Sequence, residues 1–384
     1  MNPATLLKGY DFKKLTVGVL GGHSALDVCH GAKKHGFSTV CVARKERDQT
    51  YGKYYRTRKG QGPRAKNQEI GCVDDVIAVK NFSDVLEKKI QDNLRKRNTI
   101  FVHNRYFWVY FDDFAKVEKE FNVPIFGSRS LLKLEERDQP YNQYHLLHDA
   151  GIRTPKIFKS AKEVDRLCIV KAHEATRGYE RAFFLAKNHK EWESIGYTLE
   201  QQGKVSADWT KATIEEFIVG AHVNFNFFYS TLTKELELLG TDTRRQTNLD
   251  GFLRMTADQQ QQALKSIPLK MIETGHIAVT VKESILEKAF ELGEKFVKAT
   301  QNKKCDPTGR GIIGPFALQG AVVAEEGKED IVIFDVSLRI PGSPGTFATP
   351  YSRYLYGESI SVGERIGMEL RTAVQNDLLE KVIT

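Results

Sequence analysis

The chain has 384 residues, 41% of them hydrophobic and 28% charged, with a formal net charge of +8. That length exceeds one simple core and suits two or three domains, and the balance is that of a globular protein rather than a disordered or collagen-like one. No run of about 18 apolar residues occurs and the opening "MNPATLLKGYDFKK" lacks a long apolar leader, so neither a membrane span nor a secretory signal is expected and a cytoplasmic location is.

The first element, "TVGVL" (16–20), breaks at two glycines, and a helical pattern opens at Ser24 or Ala25 with Leu26, Val28, Cys29 and Ala32 on one side. A strand, a Gly-rich turn and a helix N-terminus together aim backbone N–H groups at an anion. His23 interrupts what would otherwise approach a dinucleotide fingerprint, and Gly18, Gly21 and Gly22 do not give G-x-G-x-x-G. "STVCVA", "DVIAV" and "TIFVHN" read as further short buried strands, and "FSDVLEKKIQDNLRKRN" and "DDFAKVEKEFN" as helices. Together they predict a small doubly wound parallel sheet ending near Gly127, with a ligand crevice at the strand ends that carry "GGHS" and "HNRYF". His103 in the second of these, at a strand end beside Arg105, is a secondary substrate candidate. Between them lies the basic stretch 44–69, read as a solvated loop that attracts anionic metabolites rather than as a nucleic-acid grip.

After Gly127 a helix ending at Gly151 and Pro155 leads into the strand "LCIVKAH". A polar connecting region (188–212) follows, then three β-rich runs, "ATIEEFIVGAHVNFNFFYS", "LELLGTDTRRQ" and "IVIFDVSLRI", with long helices over 279–302 and 361–383. These read as an α+β unit distinct from the first. Lys171 at a strand end is a point charge suited to a phosphate. Glu215 and Glu216 precede a short hinge whose backbone at Phe217 and Ile218 can pair with an adenine edge. Gln319 and Asp335, on the two strands of one hairpin, are oxygen donors of the kind Mg²⁺ takes, and Arg339 can reach a phosphate. His30, His35, His145, His148, His189 and His276 lack ligand spacing and read as surface or capping residues. Cys29, Cys41, Cys72, Cys168 and Cys305 form no C-x-x-C pair, which suggests free thiols.

The order of these pieces resembles the ATP-grasp superfamily. Longer stretches, among them "LGGHSAL", "VPIFGSRSLLKLEER", "FFYSTLTKELELLGTDTRRQTNLDGFLR", "GIIGPFALQ" and "YLYGESISVGERI", are similar to the archaeal formate-dependent 5-formaminoimidazole-4-carboxamide ribonucleotide synthetases. The resemblance implies an α/β plus α+β protein, with a Rossmann-like substrate-binding domain over 1–127 and an ATP-grasp domain over 128–384 whose lid spans about 156–212. It implies an ATP- and Mg²⁺-dependent (or Mn²⁺-dependent) carbon–nitrogen ligase that joins formate to the aminoimidazole nucleotide through formyl phosphate, in a homo-oligomer without membrane or nucleic-acid partners. By the same resemblance His23, Ser24, His103, Arg105, Asn248, Arg339, Gly345 and Thr346 fall at substrate positions. Lys171, Arg177, Glu215, Glu216, Ile218 and His222 fall at ATP positions, and Gln319 and Asp335 at metal positions.

Four features depart from the family pattern. The segment "HEATRGYERAFF" (173–184) has one glycine, Gly178, where the family has a Gly-rich loop, so Arg177 and Arg181 are its candidate phosphate contacts. "HNR" replaces "HGS", so Arg105 stands where a serine meets substrate. Asp335 replaces a glutamate, and residues 56–71 form a basic insertion. These changes keep two other readings open: a paralogue ligating another carboxylate to another amine, and a non-catalytic nucleotide-binding subunit.

Overall fold

The computed structural model describes residues 1–60, 68–111, 114–137, 139–172, 183–267, 272–325, 327–342 and 344–384. Its first layer is the expected parallel sheet. β1 (Thr16–Leu20), β2 (Ser38–Arg44), β3 (Asp75–Val79), β4 (Thr99–Val102) and β5 (Ile125–Phe126) lie in the order β3-β2-β1-β4-β5. β1 and β4 are buried along their whole length, which is why they read as unbroken apolar runs rather than alternating ones. The strand order reverses between β1 and β4, the place where such sheets open a crevice at their carboxyl ends. Arg58–Lys59 pairs with Glu69–Ile70 as a small ribbon at the two ends of the basic insertion.

Helix α1 (Ala25–Lys34) follows β1, and α2 (Lys88–Lys96) precedes β4. The helix expected over 82–98 divides: Phe82–Leu86 is a 3₁₀ turn and Glu87 is extended. The Asp84 carboxylate accepts from the N–H of both Lys80 and Asn81, closing the short turn before a continuous helix can form. The helix before Gly151 is likewise short, α3 (Gln143–Asp149), capped by the Asn142 side chain and ended by Gly151 at φ +65°.

A four-stranded antiparallel sheet comes next, β6 (Ile157–Phe158), β7 (Cys168–Lys171), β8 (Phe183–Ala186) and β9 (Thr213–Glu216), in the order β8-β7-β9-β6. The region 188–212 is not merely a connection. It contains the 13-residue helix α4 (His189–Gln201), capped by Asn188, whose Gly196 leaves room for the fully buried Trp209. Two tryptophans, Trp192 and Trp209, pack at 4.6 Å between ring centres, and that pair turns a polar-looking stretch into a core.

The third sheet is the largest: β10 (Ala221–Tyr229), β11 (Leu236–Gln246), β12 (Glu273–Ala278), β13 (Gly314–Glu325) and β14 (Lys328–Ser337), ordered β12-β11-β10-β13-β14 and wholly antiparallel. Helix α5 (Glu283–Thr300) covers it through Ile285, Ala289 and Phe296. The last long helix, α6 (Val362–Gln375), packs against α1, where a Cβ on Gly31 would collide with the Gly363 backbone. Val28 and Cys29 of α1, Ile366 and Leu370 of α6, and Phe228 and Leu239 of the third sheet share one apolar cluster. That cluster holds the β1–β4 crevice against one face of the third sheet.

Candidate active site

The first wall of the cleft is the turn after β1. A side chain at Gly22 would enter the Tyr106 ring, so the backbone there requires glycine. Asn104, buried at the end of β4, donates from Nδ2 to the carbonyls of Leu20 (2.8 Å) and His23 (3.1 Å) and so ties the two strand ends together. Ser24, at φ +66°, donates its hydroxyl to the Pro341 carbonyl at 2.8 Å. The His23 ring rests against Gly342, where any Cβ would overlap it. These contacts join the first layer to the segment that follows β14, with Arg105 and Arg339 both lining the space between.

The opposite wall is a polar network on the third sheet. Asn224 and Asn226 of β10 donate to the two oxygens of Asp242 on β11, at 2.9 and 2.6 Å. Asp242 is fully buried and also bonds His276 Nδ1. His276 Nε2 meets Glu273 Oε1 at 2.9 Å, and His23 Nε2 approaches the same oxygen at 3.3 Å. Arg244 pairs through Nε with Glu273 Oε2 at 3.2 Å and through Nη2 with Gln319 Oε1. Burial opposes charge on His276, but Asp242 and Glu273 push its pKa up to about 9. Burial would raise the Glu273 carboxyl, yet His23, His276 and Arg244 hold it far below the usual range. Arg339 and Glu135 form a buried pair at 3.3 Å, with burial lowering the first pKa and raising the second.

A second cluster lies where the small antiparallel sheet meets the β13–β14 hairpin. Lys171 at the end of β7 pairs with Glu215 of β9, and both side chains are almost completely buried. Tyr144 of α3 donates to Glu215 Oε2 at 3.1 Å and accepts from Arg137 Nε at 2.9 Å. Arg137 in turn reaches Asp335 Oδ1 at 3.4 Å. Burial pulls the Lys171 pKa below its ordinary value in spite of Glu215. Glu216, next in sequence, points outward and pairs with Arg166 at 3.1 Å.

The two clusters meet at one cross-strand pair. Gln319 and Asp335 are direct partners in the β13–β14 register, just before a bulge. Gln319 faces the cleft and bonds Arg244, while Asp335 bonds Arg137 of the second cluster. One amide oxygen and one carboxylate in opposed positions suit a hard, oxygen-seeking cation that shares its remaining positions with phosphate oxygens.

The other singled-out residues are more dispersed. Gly345 borders the mouth of the cleft beside Ser24, and Thr346 is buried against Gly240 outside the cleft lining. Asn248 is exposed at φ +39° at the start of the short helix Leu249–Phe252, also outside that lining. His103 is fully buried behind the cleft against Gly127; among the described residues neither ring nitrogen has a hydrogen-bond partner, and burial lowers its pKa to about 3. Ile218 lies in the turn between β9 and β10, where the neighbouring Phe217 N–H is taken up by the Leu167 carbonyl. His222 on β10 packs against Phe334 at 5.4 Å. Arg177, Gly178 and Arg181 lie outside the described residues.

His276 is a correction: it is no surface or capping residue but sits at the centre of the network. Its neighbours Asp242, Arg244 and Glu273, and Arg137 and Tyr144 in the second cluster, were also missed. A signal existed for some of them. "NFN" alternates polar and apolar residues inside an otherwise apolar run, and "TDTR" continues a strand-like run with consecutive polar residues, so polar side chains fall on a strand face next to apolar ones. For Tyr144 and Arg137, which precede Lys171 by 27 residues or more, none existed.

Comparison with known proteins matches residues 17–158 to "Protein of unknown function (DUF1246)" and residues 192–384 to "Domain of unknown function (DUF1297)". The chain is 35% identical over 378 residues, 98% of it and 96% of the relative, to a 5-formaminoimidazole-4-carboxamide-1-(beta)-D-ribofuranosyl 5'-monophosphate synthetase of Methanocaldococcus jannaschii. Its fold is similar to the crystal structure of an IMP biosynthesis protein, PurP, from Thermococcus kodakaraensis (TM-score 0.68, 26% identity, 96% of this chain and all of that one). A biotin carboxylase from Campylobacter jejuni, crystallised as a beta-gamma-ATP complex, shares the fold alone (TM-score 0.55, 14% identity, 92% of this chain and 70% of that one).

Proposed function

The chain belongs to the 5-formaminoimidazole-4-carboxamide ribonucleotide synthetase family, and from that membership we propose that it is an ATP-dependent ligase that formylates 5-aminoimidazole-4-carboxamide ribonucleotide with formate, on the IMP branch of purine biosynthesis. The observation that carries this reading is the Gln319–Asp335 pair, which joins a cleft rich in cations to a separate cluster built around Lys171. A ligase of this type needs such adjacency, because the phosphoryl group must pass from one bound substrate to the other without meeting water.

In this reading Lys171 neutralises ATP phosphates, with Glu215 and Tyr144 holding its ammonium in place. Glu216, Ile218 and His222 border the adenosine, and the family resemblance makes Arg177 a further phosphate contact. Gln319 and Asp335 are the residues that would hold Mg²⁺ or Mn²⁺, which supplies charge neutralisation at the transferring group. His23, Ser24, Arg105 and Arg339 bind the nucleotide and the acid, with Gly345 at the mouth. A formate oxygen attacks the γ-phosphorus and ADP leaves; the amine nitrogen then attacks the formyl carbon, inorganic phosphate leaves and the amine loses a proton. The protein would act in the cytoplasm as a homo-oligomer, a state that light scattering tests.

Arg105 favours a second reading. A guanidinium at the cleft suits an acid or nucleotide with more negative charge than formate offers. ADP release with ATP, Mg²⁺, formate and the aminoimidazole nucleotide, each omitted in turn, separates the two. Turnover that needs all four supports the first. Turnover that persists with another acid and fails with formate supports the second.

A further inference from the structure

Among the described residues, one group of three offers metal-type ligands around a common point, and it is separate from the Gln319–Asp335 pair. We propose that His23, Glu273 and His276 form a binding site for a zinc-class divalent cation at the base of the cleft. Their donor atoms all lie within 4.8 Å of one another; one separation, 3.3 Å, matches the edge of a tetrahedron with bonds of about 2.0–2.1 Å, and another, 2.9 Å, is shorter than that edge.

Proximity alone describes many ion pairs; the stronger observation is how each ligand is held. His276 commits Nδ1 to the fully buried Asp242, itself fastened by Asn224 and Asn226, so Nε2 faces the common point. Glu273 gives Oε2 to Arg244 and leaves Oε1 for the same point. The His23 ring is confined by Gly342 with Nε2 directed inward. A ligating imidazole whose other nitrogen bonds a carboxylate is the usual outer support of a zinc site. Two imidazoles and one carboxylate select a borderline first-row cation over Mg²⁺ or Ca²⁺, which prefer oxygen throughout. Exposure rises from His276 (9%) through Glu273 (20%) to His23 (35%), so the set is closed on the sheet side and open toward the cleft. Arg105 and Arg339 line the same cleft and would draw an anionic oxygen into it.

The test is a Co²⁺ titration of the full chain after stripping with chelator, read by ligand-field absorption. One equivalent is expected to bind, to be displaced by Zn²⁺ and to resist excess Mg²⁺. Glu273→Gln and His276→Ala should abolish the signal, and His23→Ala, at the most exposed ligand, should weaken it. Asp242→Asn should weaken binding about 10- to 100-fold, while Glu325→Gln, at the far end of the hairpin, should leave the titration unchanged. Folded parent protein with no saturable absorption, or a titration undiminished in Glu273→Gln, overturns the site. Glu273→Gln preserves shape, so the outcome does not hang on His276→Ala folding. Because the readout is metal binding, failure of the ligase reaction leaves this result untouched.

Discussion

Lys171 and His276 are cations buried to nearly the same degree, with 6% and 9% of their side chains exposed, yet their pKa values move in opposite directions. Desolvation disfavours both charges. Lys171 is hydrogen-bonded to one carboxylate, Glu215, feels Asp335 without a direct bond and is repelled by Arg137, so burial wins. His276 faces two, Asp242 and Glu273, and they outweigh burial. Two directly hydrogen-bonded carboxylates at His276 against one at Lys171, together with the Arg137 charge beside Lys171, tip the balance against desolvation in opposite directions. The consequence is a division of labour: one cluster holds a lysine whose charge burial disfavours, the other an imidazolium that its carboxylates favour.

The largest expected effect breaks the first member of that pair. Lys171→Met leaves Glu215 charged and unpaired in the interior, and should lower the unfolding free energy by about 3–5 kcal/mol in urea titration. Adding Glu215→Leu should restore most of it; a single variant as stable as the parent would sink the account of this cluster. The second test acts on His276. Its folded pKa, about 9, lies above the ordinary 6.5, so its stabilisation is complete below 6.5 and is lost as pH rises through about 9. In metal-free protein the parent should lose on the order of 3 kcal/mol across that window relative to His276→Gln. Asp242, Glu273, His23 and Arg244 surround the ring, so an equal slope in both proteins would assign the titration to another group.

A smaller change sharpens the contrast without touching a charge. Gly342→Ala must push the His23 ring aside, and should cost roughly 10- to 100-fold in kcat/KM with little change in thermal midpoint. Unaltered kinetics would show that His23 is not held for substrate. Smallest of all, Glu216→Gln removes a half-exposed pair with Arg166 and should cost no more than about 1 kcal/mol. A loss comparable to that at Glu215 would erase the distinction between these adjacent residues.

Much of the scaffold was legible. "TVGVL", "DVIAV" and "LELLGTDTRRQ" emerged as strands over those residues because continuous burial or strict alternation writes itself into composition. That Gln319 and Asp335 lie on the two strands of one hairpin was also readable, but counting back from the turn puts Phe334 opposite Gln319, and only the bulge between Gln319 and Gly320 brings Asp335 into register. Strand β12 was not. Glu273 and His276 are three apart, a spacing that puts strand residues on opposite faces, and only the irregularity opposite Arg245 and Gln246 brings both toward the cleft. Helix α4 was hidden for a different reason: its apolar face depends on Trp209, outside its own sequence.

By itself the sequence determined the strand and turn identities, the glycines where backbone meets side chain, and the lysine, glutamates and hairpin oxygens that belong to nucleotide chemistry. Those follow from local sterics and from periodicity, which act within a few residues. Tertiary structure decided which of these groups meet and which charge survives. Asp242 and His276 are brought together across 34 residues, Tyr144 and Glu215 across 71, and His23 and Glu273 from different layers. Electrostatic energy depends on distance and burial in space, neither of which is a property of any short stretch of chain.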